Sequence, residues 1–261
     1  MLPVIQIGFF NIYTFQIILG ISFYICYLYL LFAKPYHWLH RKSHIYTMIW
    51  ALVLGAAGGK MLSAFTMYVQ DNGKSFFYHL THSGSVFYGI LVTGFCTAYI
   101  VSKKYRIDFS RYASEVAEVL PLGQAIGRIG CFMNGCCYGR EYDGPMGMLY
   151  PVGNEKIKVF PTWFAESFVC LALFLFFRKK RFEQSRYSFL VYFIVYGNSR
   201  FFIEFMRGDD IRGIYGGIST SQIISIVLTL SSMCYLFFIN TKRRKFYEAG
   251  VCEFQSRNDQ G

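Results

Sequence analysis

The chain has 261 residues, of which 54% are hydrophobic and only 16% charged, with a mean hydropathy of +0.33. A soluble domain of this size carries nearer a quarter charged residues, and here the apolar residues come in long runs, so the composition excludes a soluble protein in favour of a polytopic membrane protein. The net charge of +11 does not indicate nucleic acid, because the basic residues sit in short clusters between the apolar runs, as membrane topology requires.

The runs predict an all-α membrane protein, a bundle of seven transmembrane helices, at roughly Phe9–Ala33, His44–Val69, Val86–Val101, Ala113–Met133, Thr162–Phe177, Tyr187–Met206 and Ile218–Ile239. Each approaches the ~20 residues that cross the hydrocarbon. No basic residue precedes the first run and no Ala-x-Ala site follows it, so it is expected to stay as a helix rather than be cleaved. One set of alternate loops holds sixteen Lys and Arg, among them Lys103, Lys104, Arg178–Arg181 and Lys242–Lys245, and the other set holds six. The positive-inside rule then puts the N-terminus outside and the C-terminus in the cytoplasm. Residues 1–240 are expected to form one membrane domain and 241–261 a basic and polar cytoplasmic tail, mobile at its end.

In the second span, Gly55-x-x-x-Gly59 is spaced for close helix packing. The following loop holds His79 and His82, which lack further ligands nearby and are expected to be surface histidines. The third span opens Ser85-Val-Phe87-Tyr88-Gly89, where Tyr88 alone reads as an interfacial aromatic. The fourth carries Arg128 at depth, at a cost of roughly 2.5–3.5 kcal/mol, which such a residue repays by facing a polar cavity. Glycines at 123, 127, 130, 135 and 139 around it allow backbone or a bulky ligand to come close. The polar stretch Arg140–Phe160 is expected to be an arm on the membrane surface. In the fifth span Glu166 interrupts an apolar run and is expected to face the interior. In the sixth, Tyr196, Arg200, Glu204 and Arg207 recur on one helical face.

Cys26, Cys96, Cys170 and Cys234 lie inside apolar runs and are expected to be small buried hydrophobes. Cys131, Cys136 and Cys137 are too few for a metal centre, and neither metal nor cofactor is expected. Arg128 and Arg200 both fall in the outer half of the bundle, and guanidinium forks suit phosphate oxygens. In a bilayer the matching ligand is an anionic lipid headgroup. The residues therefore point to a protein that binds or transforms a phospholipid at the outer leaflet.

At these residues the chain resembles the prolipoprotein diacylglyceryl transferases. That family's first signature, Gly-Arg-x-Gly-Asn-Phe-x-Asn-x-Glu-x-x-Gly, reads here as Gly127, Arg128, Gly130, Cys131, Phe132, Asn134, Cys136 and Gly139. Its second, Tyr-Gly-x-x-Arg-Phe-x-x-Glu-x-x-Arg, is complete as Tyr196, Gly197, Arg200, Phe201, Glu204 and Arg207, and Gly217-Ile-Ser219-x-x-Gln222 also matches. The resemblance implies a seven-helix enzyme of the bacterial cytoplasmic (inner) membrane, N-out and C-in. It implies transfer of the diacylglyceryl group of phosphatidylglycerol to the lipobox cysteine of a prolipoprotein signal peptide, with release of glycerol phosphate. Arg128 and Arg200 would clamp the phosphate, with Gly127, Asn134, Gly139, Tyr196, Glu204 and Arg207 around the headgroup. Three positions depart from the pattern: Cys131 replaces Asn, Cys136 replaces Glu, and Tyr88 replaces the histidine proposed as general base. A tyrosine, with a reference pKa of about 10, is a poor base near neutrality, so Tyr88 is expected to orient the lipid while the phosphate takes the thiol proton.

Overall fold

A computed structural model describes residues 4–7, 10–33, 42–70, 75–82, 87–152, 155–179, 187–208, 214–215 and 218–258. Among these, each predicted span overlaps one long helix: α1 (Thr14–Ala33), α2 (Lys42–Gln70), α4 (Phe87–Lys104), α5 (Phe109–Asn134), α6 (Thr162–Lys179), α7 (Ser188–Glu204) and α8 (Thr220–Asn258). A seven-residue helix, α3 (Phe76–His82), lies between α2 and α4. Among the described residues, three segments are long and apolar enough to cross a membrane by length and composition: Thr14–Ala33, Lys42–Val69 and Ser221–Thr241.

Two boundaries differ from expectation. The start of the first span is a hairpin, β1 (Val4–Ile7) with β2 (Phe10–Tyr13), built from the β-branched and aromatic residues that favour strands. At the other end, the backbone of α8 runs through the basic cluster to Asn258. No Gly or Pro interrupts residues 240–248, and Lys and Arg are good helix formers.

The chain divides into two compact units, residues 28–113 and residues 1–27 with 114–261. In the first, α2 and α4 meet backbone to backbone. A Cβ on Gly89 would lie 2.8 Å from the Gly58 carbonyl oxygen and from Gly59 Cα, and one on Gly55 3.2 Å from the Ile90 carbonyl oxygen. Thr93 Oγ1 donates to the carbonyls of Gly89 (2.6 Å) and Gly55 (3.3 Å). The packing role of the Gly55–Gly59 pair is therefore observed. Beside them α3 sets Phe76 edge-on to Tyr68, with ring centres 6.1 Å apart. His79 is buried at 6% exposure, against the expectation of a surface histidine, because α3 turns that face inward. The side chains of His82 and Tyr88 lie outside the described residues.

In the second unit, Ser22 Oγ donates to the Gly123 carbonyl at 2.8 Å, and a Cβ on Gly130 would come within 3.1 Å of Phe15. Gly123 and Gly130 thus seat α1 on α5. On α7, a Cβ at Gly197 would meet Thr229 Oγ1 at 2.5 Å, so α8 passes directly over it. Cys170 is buried and Cys26 half-buried, but Cys96 and Cys234 are exposed. An apolar run in a membrane helix faces outward as readily as inward, which is why the expectation of burial fails for those two.

The stretch from 140 to 160 is more ordered than a surface arm. Met148–Val152 (β3) pairs antiparallel with Glu155–Val159 (β4), and Tyr150, Val159 and Trp163 form a buried cluster at 0–1% exposure. Short strands β5 (Ile214–Tyr215) and β6 (Ile218–Ser219) lead into α8. There the Ser219 amide donates to Gln222 Oε1 at 2.9 Å and the Gln222 amide to Ser219 Oγ at 3.2 Å. This reciprocal capping box starts the helix.

Candidate active site

Three helices and the turn that follows α7 bring five charged side chains together. Glu166, one turn into α6, accepts from Arg128 of α5 on Oε1 and from Arg200 Nη1 of α7 on Oε2 at 3.4 Å. Tyr196 OH, one turn before Arg200, also donates to Glu166 Oε1 at 2.9 Å. Arg200 Nη2 lies 2.7 Å from Glu204 Oε2, and Arg207 Nη1 lies 3.7 Å from the same oxygen. The i, i+4 spacing puts Arg200 and Glu204 on one face of α7, as the sequence predicts, and Arg207 reaches the same carboxylate from beyond the helix end. Ser221, inside the first turn of α8, takes a further contact from Arg200 Nη2 at 3.5 Å.

The carboxylates are the buried members, with side chains 4% and 1% exposed, and the guanidiniums are 18%, 11% and 10% exposed. Glu166 and Glu204 are therefore the inner anchors, and the arginines are the slightly more accessible members of the network. Together the five carry three positive and two negative charges. A buried positive excess built from planar donor forks is suited to an anion with several oxygens. Glu166 is the member that binds the halves of the network together. Its signal in the sequence was a single carboxylate inside an apolar run.

The neighbouring loop supports the third arginine. Gly139 and Arg207 form an antiparallel bridge, with Arg140 N donating to the Met206 carbonyl at 2.9 Å and Gly208 N to the Tyr138 carbonyl at 3.1 Å. Gly139 is buried, and a side chain there would run into the Phe160 carbonyl, so its contribution is to place Arg207. Gly127, by contrast, has open space where a Cβ would stand. Asn134 ends α5, is exposed, and directs its amide to Cys136 Sγ at 3.8 Å rather than into the arginine network. Burial pushes the Tyr150 phenol up. It stays protonated and donates to the Phe132 carbonyl at 2.9 Å, fixing the end of α5 to the hairpin. Beside it the Cys137 thiol is held below the ordinary thiol range, first by hydrogen bonds from Cys131 and Cys136 and then by Arg207 and Arg128. The sulfurs of Cys131, Cys136 and Cys137 lie within 4.8 Å of one another, a closeness that counting ligands in the sequence did not anticipate.

The family model for prolipoprotein diacylglyceryl transferase matches residues 3–238. The chain belongs to this family. A phosphatidylglycerol–prolipoprotein diacylglyceryl transferase of Clostridium tetani is 33% identical over 214 residues, covering 79% of this chain and 84% of the relative. A second, of Clostridium perfringens, is 32% identical over 205 residues, covering 76% and 79%. One of Ehrlichia ruminantium is 30% identical over 208 residues, covering 75% and 78%. In this member of the family, Arg128 of the first signature meets Arg200 and Glu204 of the second through Glu166, which belongs to neither.

Proposed function

We propose that this chain transfers the diacylglyceryl group of phosphatidylglycerol to the lipobox cysteine of prolipoproteins, in the bacterial cytoplasmic membrane. The observation that carries the reading is the cluster of three arginines on two buried carboxylates, with one positive charge in excess. The phosphate diester supplies the missing negative charge, gripped by Arg128 and Arg200 with Arg207 alongside. The cysteine sulfur attacks the glyceryl carbon that bears the phosphate, so a C–S bond forms as the C–O bond breaks. Glycerol phosphate departs with the electron pair, and its phosphate takes the thiol proton. Guanidiniums already fixed by Glu166 and Glu204 meet the growing charge without rearranging, which is electrostatic stabilisation of the transition state.

Gly127 leaves room beside Arg128 for the headgroup, and Tyr196 and Glu204 hold the arginines in register. Tyr88 enters by its position alone, as the group that orients the lipid where the family's Phe-His-Gly-Gly motif has histidine and this chain reads Phe87-Tyr88-Gly89-Ile90. Gly139 contributes through the loop after α5, by placing Arg207, and Asn134 is assigned to the headgroup by its place in the first signature. Residues 1–240 act as one seven-span domain, N-out and C-in, with 241–261 on the cytoplasmic side. The acceptor is a prolipoprotein signal peptide drawn from the bilayer.

The test is transfer in vitro, using purified protein, phosphatidylglycerol vesicles and a lipobox peptide carrying cysteine or serine. A mass gain of one diacylglyceryl group on the cysteine peptide alone is expected. Arg128→Ala and Arg200→Ala are each expected to abolish it while the helical circular-dichroism signal stays unchanged. Near-normal transfer by either variant would remove the clamp from the mechanism. Bound phosphatidylglycerol without transfer by the unaltered chain would make this a lipid-binding protein, with Tyr88→His the variant to restore chemistry.

A further inference from the structure

Cys131 lies in the last turn of α5, and Cys136 and Cys137 lie in the turn that follows. Their sulfurs sit within 4.8 Å of one another, and none has a part in gripping the phosphate. All three residues are half-buried, so an ion could reach them and would lose much of its water on arrival. The turn is held from outside the cluster. Trp163 Nε1 donates to the Cys136 carbonyl at 2.6 Å and Thr162 Oγ1 to the Cys137 carbonyl at 2.7 Å, both from the start of α6. Cys136 N closes the turn on the Cys131 carbonyl at 3.3 Å. Cys137 has φ of 61°, a left-handed conformation that costs a residue with a side chain about 1–2 kcal/mol. The surrounding contacts hold it there, and adjacent thiols are thereby set beside the third. Both departures within the first signature are changes to cysteine, at 131 and 136.

We propose that Cys131, Cys136 and Cys137 form a three-thiolate site for a soft divalent cation, with zinc as the ion of best fit. Zinc–sulfur bonds of about 2.3 Å in a tetrahedron set sulfurs about 3.8 Å apart, so the cluster needs to contract only slightly. Sulfur donors exclude magnesium and calcium, which take oxygen. The fourth position is open to water, and the Asn134 amide N–H, 3.8 Å from Cys136 Sγ, is a donor to that thiolate. On binding, each thiol gives its proton to solvent and forms one sulfur–metal bond, with no change of oxidation state. Three thiolates and one divalent ion sum to a single negative charge, beside Arg128, whose Nη1 is 3.9 Å from Cys131 Sγ. The ion would pin the end of α5 to the loop that places Arg207.

The test uses the purified full chain, reduced and stripped with a chelator, in detergent. Cadmium titration is expected to raise the thiolate-to-cadmium charge-transfer absorption to a plateau at one ion per chain, and zinc is expected to remove it. Cys136→Ser with Cys137→Ser removes two of the three sulfur ligands and should abolish the band, whereas Cys96→Ser with Cys234→Ser should leave it unchanged. A second measurement needs no variant. One equivalent of zinc should slow iodoacetamide labelling of the three thiols about tenfold, as ligation removes the nucleophilic thiolate, without slowing it at Cys234. Absence of the band, its survival in the double variant, or labelling unaffected by zinc would each overturn the proposal. So would recovery of the chain with two of the three thiols already joined as a disulfide.

Discussion

The arginine network and the α2–α4 contact both lie within long apolar helices, and they are held by opposite means. The network depends on side chains: Glu166 joins three helices by accepting from Arg128, Tyr196 and Arg200. The α2–α4 contact depends on their absence, since Gly55, Gly89 and Gly94 let main chains touch and Gly58 leaves room for the Thr93 side chain. The first concentrates charge where charge is costly, and the second spends conformational entropy to gain close packing. The difference separates residues whose chemistry is needed from residues whose size is needed. Substitutions at the two places should therefore fail in different ways.

The sharpest contrast is Glu166→Gln. It removes the central negative charge and leaves Arg128 and Arg200 facing each other, and breaking a buried pair of this kind costs about 3–5 kcal/mol. Transfer should be lost and the thermal midpoint in detergent should fall. A variant with unchanged midpoint and activity would show that Glu166 does not hold the network. Tyr196→Phe deletes one hydrogen bond to a charged acceptor, a loss of about 1.5–3 kcal/mol. It should lower kcat several-fold with the fold intact, measured as initial rates on the lipobox peptide.

Gly89→Ala should act on the other side of the comparison. Its new methyl meets main-chain atoms at 2.8 Å, and overpacking of this kind costs about 1–3 kcal/mol. The yield of folded protein should drop while the activity per folded molecule stays near normal. Altered kcat at full folding would break the distinction. The smallest effect is expected at Gln222→Ala, which opens the capping box at the start of α8 for about 1 kcal/mol. Because Ser221 touches Arg200, a small loss of stability should come with a modest rise in KM for phosphatidylglycerol.

The helices and the charged residues of the site were legible from the sequence, for one reason. A long apolar run has few uses outside a membrane, and a charge inside such a run has few uses outside a functional interior. Arg128, Glu166, Arg200 and Glu204 all obey that logic. What was not legible depends on contacts between distant residues. Tyr150 and Val159 look like parts of a polar loop until Trp163, at the head of the next helix, covers them. His79 looks exposed because nothing in its own heptad reveals that α3 turns inward. The three cysteines straddle the end of α5, where helical periodicity stops predicting which side chains meet. Gly127 and Gly139 illustrate the same limit: identical in sequence terms, one borders open space and the other is wedged against a carbonyl.

The uneven count of three guanidiniums to two carboxylates bears on how a turnover ends. A phosphodiester brings one negative charge and leaves the five-residue cluster balanced. The glycerol phosphate that departs is a monoester, carrying about −1.5 to −2 near pH 7 once its proton is released. In the proposed reaction the three guanidiniums of this net-positive cluster attract the product at least as strongly as the substrate, so glycerol phosphate leaves by exchange with water or with the next phosphatidylglycerol rather than by repulsion.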